Sequence, residues 1–252
     1  MKYIREGRFG MAKQYKTGAV VNTYPKPLLV LSFDEGGLDV IQTPVVYIQP
    51  SEVEAYLKKS PEELPPIVAI DFCDTQKRTL TPIYQASGNS AGFQTFVDVT
   101  NKLCATSTIP FKTVVVDPIT GLSDLILSHI AATQASAMAD ARKWAGNIGL
   151  KLAQTVGVMT QLNAHVVFIM HAAQQQNELT QEISILPLIH SRFKDRVGAL
   201  LSQFFYATKE NGKAVVYTTD KGYVKGIGAR WPANLPAVCP ADFTSIYGKE
   251  IQ

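Results

Sequence analysis

Lys112-Thr113-Val114-Val115-Val116-Asp117 is a β-favouring run with no polar alternation, closed by a carboxylate. A strand that alternates has one wet face. A strand that does not is covered on both faces, which is the situation of a mainly parallel sheet between helical layers. The same signature recurs outward in both directions. Upstream are Pro27 to Phe33 and a weaker run, Ile67 to Phe72; downstream are His165 to Met170, Phe204 to Thr208 and Ala214 to Thr218. The last two flank Asn211-Gly212, a pair that predicts a hairpin turn.

Between these strands lie helical stretches. Thr17 to Thr23 is short. Ser51 to Lys59 opens with Ser51 and carries Glu54 three residues on, a capping-box spacing. Gly92 to Cys104 places Phe93, Phe96, Val97 and Leu103 near helical spacing. Leu122 to Gln161 reads as one long helix, or as two broken near Gly146 or Gly149. Strands alternating with helices predict α/β architecture. Ser60 to Pro66 and Ala86 to Gly92 read as surface loops, and the tail from Lys221 as irregular. No composition shift divides the chain, so residues 1–252 are expected to form one domain with an irregular end at about 221–252.

Composition narrows the class. Of 252 residues 46% are hydrophobic and 18% charged, which excludes a disordered chain. A net charge of +3 permits an anionic ligand without demanding one. Cys73, Cys104 and Cys239 form no CxxC pattern, so neither a zinc site nor a disulfide framework is expected. The first ten residues lack an apolar signal core, and no apolar run reaches the ~18 residues of a membrane span. A soluble, cytoplasmic protein without a membrane partner is the expectation.

The chemistry concentrates near the first strands. Gly10-Met-Ala-Lys-Gln-Tyr15-Lys16-Thr17 fits the phosphate-loop pattern GxxxxGK[ST] at every fixed position but one. In that pattern backbone N–H groups cradle phosphates, the lysine reaches the terminal ones, and the hydroxyl binds magnesium. Tyr15 stands where the second glycine belongs, and a Cβ there resists the backbone angles and close approach that glycine allows. A second frame, Gly7 to Gln14, lacks both that glycine and the hydroxyl. A basic exposed loop is the plainer reading of the same residues. Asp117 ends its strand as a magnesium carboxylate does, or caps the turn before Pro118. Asp34-Glu35-Gly36-Gly37 follows another strand; an acid there polarises an attacking water, or is solvated on a glycine turn.

Joined, these segments resemble a family. Lys16 to Gly37 resembles the first third of bacteriophage RecA-like nucleotide-binding proteins, which include the ATPase-type single-strand annealing proteins of phage recombination. Thr113 to Leu122 resembles their Walker B strand, and Ala164 to His171 the strand after it. Lys221-Gly-Tyr-Val-Lys225, Arg230-Trp231-Pro232 and Pro240-Ala-Asp-Phe243 are similar to the family's C-terminal segments. The resemblance implies a three-layer α/β RecA-like P-loop NTPase fold with a C-terminal hairpin, binding ATP and Mg2+.

The resemblance also implies roles. Gly10 and Tyr15 belong to the phosphate loop, Lys16 contacts the β- and γ-phosphates, and Thr17 and Asp117 hold magnesium. Glu35 activates water, and His171 takes the place of a phosphate-sensing glutamine. The stretch Ala172 to Ser191 corresponds to a mobile DNA-binding loop, with Gln174, Gln175 and the following Arg192, Lys194 and Arg196. Ala135 to Asn147 is a second DNA-facing segment, with Arg142, Lys143 and Trp144. Lys221 and Lys225 complete a neighbouring subunit's site. Each has a plainer reading: His171 caps a strand, Trp144 is core, Arg192, Lys194 and Arg196 line a solvated helix face, and Lys221 and Lys225 alternate on an exposed edge. The implied function is ATP-dependent action on single-stranded DNA in recombination or annealing, as a homo-oligomeric filament or ring, with a single-strand-binding protein as a further partner. A nucleotide-independent DNA-binding or scaffold protein and a phage replication or packaging NTPase are the alternatives.

Overall fold

A computed structural model describes residues 3–12, 14–34, 38–72, 91–134, 141–178, 180–189, 193, 196–232, 234–248 and 251. The chain opens with β1 (Arg5–Gly10), a π-helical turn (Gln14–Gly18), α1 (Ala19–Thr23), β2 (Leu28–Ser32) and β3 (Val46–Tyr47). It continues with α2 (Val53–Leu57), β4 (Ile67–Asp71), α3 (Ala91–Ala105), β5 (Thr113–Asp117), α4 (Ile119–Thr133) and α5 (Ala141–Met159). Then come β6 (His165–Gln176), β7 (Ile183–Pro187), α6 (Val197–Leu200), β8 (Gln203–Glu210) and β9 (Lys213–Tyr217). β10 (Gly228–Ala229), β11 (Val238–Pro240) and α7 (Phe243–Tyr247) end it.

The strand order is β11-β9-β8-β1-β6-β5-β2-β4-β3. Every pair from β8 to β3 is parallel. The pairs β8–β9, β9–β11, β8–β10 and β6–β7 are antiparallel. Successive residues of a strand supply opposite faces. Val114 and Val116 join one core with α3, α4 and α5, through Phe96, Leu103, Leu122, Ile126, Ile148 and Leu152. Val115, with Val30, Val167 and Ile169, joins the other core with Val20 and Val21 of α1 and Phe243 and Ile246 of α7. Val114, Val115 and Val116 are all fully buried, each contributing roughly 1.5–3 kcal/mol. The three-layer, mainly parallel α/β architecture expected from the apolar runs is the one observed. The Asn211-Gly212 hairpin is observed too, with φ of 49° and 81° at those residues.

The structure corrects several local expectations. β1 was absent from the set of apolar runs, because Arg5, Glu6 and Arg8 break its pattern. Glu6 and Arg8 lie on one face and neutralise each other, with Arg8 Nε 2.6 Å from Glu6 Oε1, both fully buried. Arg8 also donates to the Ala241 carbonyl and to Tyr24 Oη, each at 2.9 Å. Tyr24 and Tyr247 donate to Glu6 Oε2. Burial pushes both phenols far above their ordinary range, which keeps them protonated donors. Burial also pulls on the Arg8 guanidinium, but Glu6 and Tyr24 outweigh it and hold it above its usual value. The tail after Lys221 supplies two strands and α7, and α7 closes this cluster.

Capping is also placed differently. The capping box before α2 pairs Gln49 with Glu52, not Ser51 with Glu54, and a second pairs Ser60 with Glu63 inside the expected loop. α5 runs unbroken through Gly146 and Gly149, so the division between the two helices falls before Ala141. Among the described residues no helix is long and apolar enough to cross a membrane.

Candidate functional site

Parallel strands deliver their carboxyl ends to one edge. Register places Gly10 beside His171 and Ala207, and Ser32 beside Asp117 and Asp71. Gly10 is required there for a steric reason. A Cβ at this residue would stand 2.4 Å from the Ala207 carbonyl oxygen, so only glycine lets β1 approach β8 this closely.

After Gly10 the chain winds through the π-helical turn, and Lys16 and Thr17 are carried inward with no exposure. Lys16 Nζ lies 2.8 Å from His171 Nδ1. An ammonium has donors only, so Nδ1 accepts and the imidazole proton sits on Nε2. Nε2 faces Asp34 Oδ2 at 3.5 Å. Thr17 Oγ1 donates to Asp117 Oδ1 at 3.0 Å, and Asp117 is 3% exposed. The Asp117 carbonyl accepts from Phe33 N at 2.7 Å, tying the end of β5 to the residues that lead to Asp34. Thr120 fixes the third side: its Oγ1 accepts from His171 N at 3.2 Å and donates to the Leu188 carbonyl at 2.8 Å. An ammonium, a hydroxyl, two carboxylates and an imidazole therefore converge on one sheet edge. That set suits an anion and a hard cation held together.

Tyr15 does not strain the loop as its sequence position suggested. The described non-glycine residues with positive φ are Gln181 and Asn211, so Tyr15 sits in ordinary helical space. Its half-buried ring lies 6.0 Å from Lys209 Nζ on β8.

Other expected residues sit apart from this edge. Trp144 is half-buried and packs against the core beneath α5, as its plainer reading had it. Lys143 is exposed on the same helix, which also carries Arg142. The expected mobile loop is in large part a β-hairpin. β6 continues five residues past His171, and Ala172 to Gln176 pair with Pro187 to Ile183. Gln174 and Gln175 are thus strand residues, because an antiparallel partner satisfies their backbone. Lys221 lies 2.9 Å from Glu210 of its own chain and 4.4 Å from the centre of the Tyr217 ring; Lys225 is exposed. Glu35, Arg192 and Lys194 lie outside the described residues.

The sequence reading overlooked two members of the site. Asp34 was visible beside Glu35, and its orientation toward His171 was not. Thr120 carried no motif signal, since its role depends on strands distant in sequence.

A family model for an AAA domain matches residues 15–226, which spans the turn, Asp117, His171 and the hairpin. The chain belongs to this AAA domain family. The AAA domain is thereby a nucleotide-binding domain of the P-loop class. Two solved structures are similar to it at low identity. The crystal structure of the RadB recombinase matches with 14% identity, 85% of this chain and 79% of that chain covered, and a TM-score of 0.36. A KaiC-like protein from the hyperthermophilic archaeon Pyrococcus horikoshii OT3 matches with 11% identity, 94% and 84% covered, and a TM-score of 0.39. No curated protein sequence matches this chain.

Proposed function

We propose that this AAA domain binds ATP with magnesium at the edge built by Lys16, Thr17, Asp117 and His171, and uses it to act on single-stranded DNA. The observation that carries the reading is the Thr17–Asp117 pair, 3.0 Å apart beside a fully buried lysine. A lysine is rarely buried without an anionic task or a partner, and the buried Lys16 ammonium, 2.8 Å from His171 Nδ1, supports the reading.

The donor set fits magnesium. Thr17 and Asp117 offer hard oxygens, and among the described residues no cluster of three or more His, Cys, Asp or Glu could hold a metal alone. Magnesium sites of nucleotide enzymes take one or two protein oxygens and complete themselves with phosphate and water. Held by Thr17 and Asp117, the cation would supply charge neutralisation to the phosphates. Lys16 donates to terminal phosphate oxygens, with Gly10 and Tyr15 shaping the loop around them. His171 reads the same phosphate from the middle of β6. Glu35, next to Asp34, is the carboxylate assigned to orient water.

The hairpin with Gln174 and Gln175, the segment of Arg192 and Lys194, and the helix of Arg142 and Lys143 are assigned to DNA. Lys221 and Lys225 are assigned to a neighbouring copy in a homo-oligomer. Exposed polar side chains on a hairpin that grows out of the His171 strand support this placement.

Calorimetry with ATP, with and without magnesium, tests the reading on wild type and Lys16→Ala, with circular dichroism as the control for folding. Loss of a charged hydrogen-bond donor is expected to weaken binding about 10- to 150-fold. Equal affinity in the variant, or binding indifferent to magnesium, overturns it. Oligonucleotide annealing that ATP does not accelerate removes the DNA role and leaves the nucleotide site standing.

A further inference from the structure

The pairing of β6 changes hands at His171. Its parallel pairing with β5 ends at Val116–Phe168, and its antiparallel pairing with β7 begins at Ala172–Pro187. On the other side it stays paired with β1 as far as Gly10–His171. Continued by one step, the β7 register sets His171 opposite Leu188. A hydrogen-bonded antiparallel pair exchanges two N–H···O bonds. One of the two is direct: Leu188 N donates to the His171 carbonyl at 2.8 Å. The other carries a hydroxyl in its middle. His171 N donates to Thr120 Oγ1 at 3.2 Å, and Thr120 Oγ1 donates to the Leu188 carbonyl at 2.8 Å.

Thr120 is held in that gap from behind. It is the second residue of α4, which starts directly after Asp117-Pro118. Its neighbour Ile119 is fully buried. A Cβ on its other neighbour, Gly121, would stand 2.5 Å from the Phe33 carbonyl oxygen, so glycine lets the first turn of α4 seat against the chain that leads to Asp34. A β-branched side chain is also stiff at χ1, which keeps the hydroxyl aimed. One oxygen therefore joins the start of α4 beside Asp117, the backbone of His171, whose ring meets Lys16 Nζ at 2.8 Å, and the returning strand of the hairpin.

We propose that Thr120 is a positioning residue for the phosphate site: its hydroxyl spaces the first rung of the β6–β7 hairpin so that His171 meets Lys16, and it carries the filling of that site into the hairpin. The inference rests on the nucleotide reading above. A direct bond from His171 N to the Leu188 carbonyl would close the rung by the width of one oxygen and draw His171 toward β7, away from Lys16. The inserted hydroxyl satisfies the same two backbone groups and leaves the rung open. A ligand that engages Lys16 and His171 pulls on one side of this rung, and the hairpin hangs on the other. The coupling is reciprocal, so a change at the rung returns as a change in ligand affinity.

Amide hydrogen exchange across residues 172–188, with and without ATP and magnesium, tests this beside calorimetry. In wild type ATP is expected to slow exchange at Ala173 and Leu188 by at least about threefold. Thr120→Val keeps the shape and removes the hydroxyl; it is expected to weaken ATP about 2- to 10-fold and to abolish the slowing. Thr120→Ala removes the same hydroxyl and serves where Thr120→Val does not fold. Thr120→Ser keeps the hydroxyl and is expected to hold both readouts within about twofold of wild type. Wild type that binds ATP with no change at the hairpin overturns the role of Thr120 and leaves the phosphate site standing. So does slowing that persists without the hydroxyl, or an equal loss in Thr120→Val and Thr120→Ser, which would reduce Thr120 to packing. Wild type that does not bind ATP overturns the nucleotide reading, and this inference falls with it.

Discussion

The two ends of the β1–β6 ladder both bury charge, and they bury it in opposite ways. At the amino end, the His165 imidazole accepts from Ile4 N at 3.2 Å, and Glu6 and Arg8 are sealed among Tyr24, Tyr247 and the Ala241 carbonyl. His165 is 3% exposed, and Glu6 and Arg8 not at all. At the carboxyl end, Lys16 is equally buried, but it bonds to a histidine whose side chain is 29% exposed, itself facing an aspartate 32% exposed. The first cluster is closed by phenols and carbonyls that have nothing better to bind. The second opens onto solvent through its partly exposed partners, His171 and Asp34. Burial of charge alone does not mark a site; the exposure of the partners does.

The largest effect that breaks this contrast is expected at Arg8. Arg8→Met leaves Glu6 buried without its cation and should cost about 3–5 kcal/mol, lowering Tm by roughly 6–20 °C. Pairing it with Glu6→Gln should restore part of the loss. A single variant as stable as wild type in urea unfolding would show that the closed cluster contributes nothing.

The next effect is in pH. Burial, with the cations of Arg5 and Lys112 nearby, pushes His165 down to about 4. The unfolded chain takes up a proton near the ordinary value of about 6.5, whereas the folded chain refuses it until about 4. Stability is therefore fully present above the higher value and falls as pH drops from one to the other, by about 3 kcal/mol in all. Urea midpoints compared at neutral and mildly acid pH measure this, and His165→Asn should flatten the slope. An unchanged slope would place the titration elsewhere.

The smallest effect sharpens the open end. Tyr15 occupies ordinary helical space, so Tyr15→Gly should change ATP affinity by less than about threefold, since glycine adds only backbone entropy at a helical position. A tenfold gain would mean that the ring itself obstructs the phosphates.

The same contrast explains what the sequence made legible. Thr113 to Asp117 was readable because both faces of β5 are dry, and a dry strand writes itself as unbroken apolar residues. β1 was not, because its polarity is cancelled by Tyr247, 241 residues away from Glu6. Lys16, Thr17 and Asp117 were readable as motif members, and the structure sets Thr17 beside Asp117. The Lys16–His171 contact spans 155 residues and depends on the Gly10–His171 register, which no local spacing encodes. Gln174 to Gln176 read as loop because nothing apolar marks a strand whose pairing comes from its partner β7.

The seal that α7 places on β1 also sets an order of events in time. Ribosomes add about 5–20 residues per second, and Glu6 waits 241 residues for the hydroxyl of Tyr247. For roughly 10–50 seconds of synthesis the central strand carries a carboxylate without its Tyr247 donor and a guanidinium without its Ala241 acceptor. The middle of the sheet therefore becomes dry only after α7 is made, although β1 precedes every other strand described.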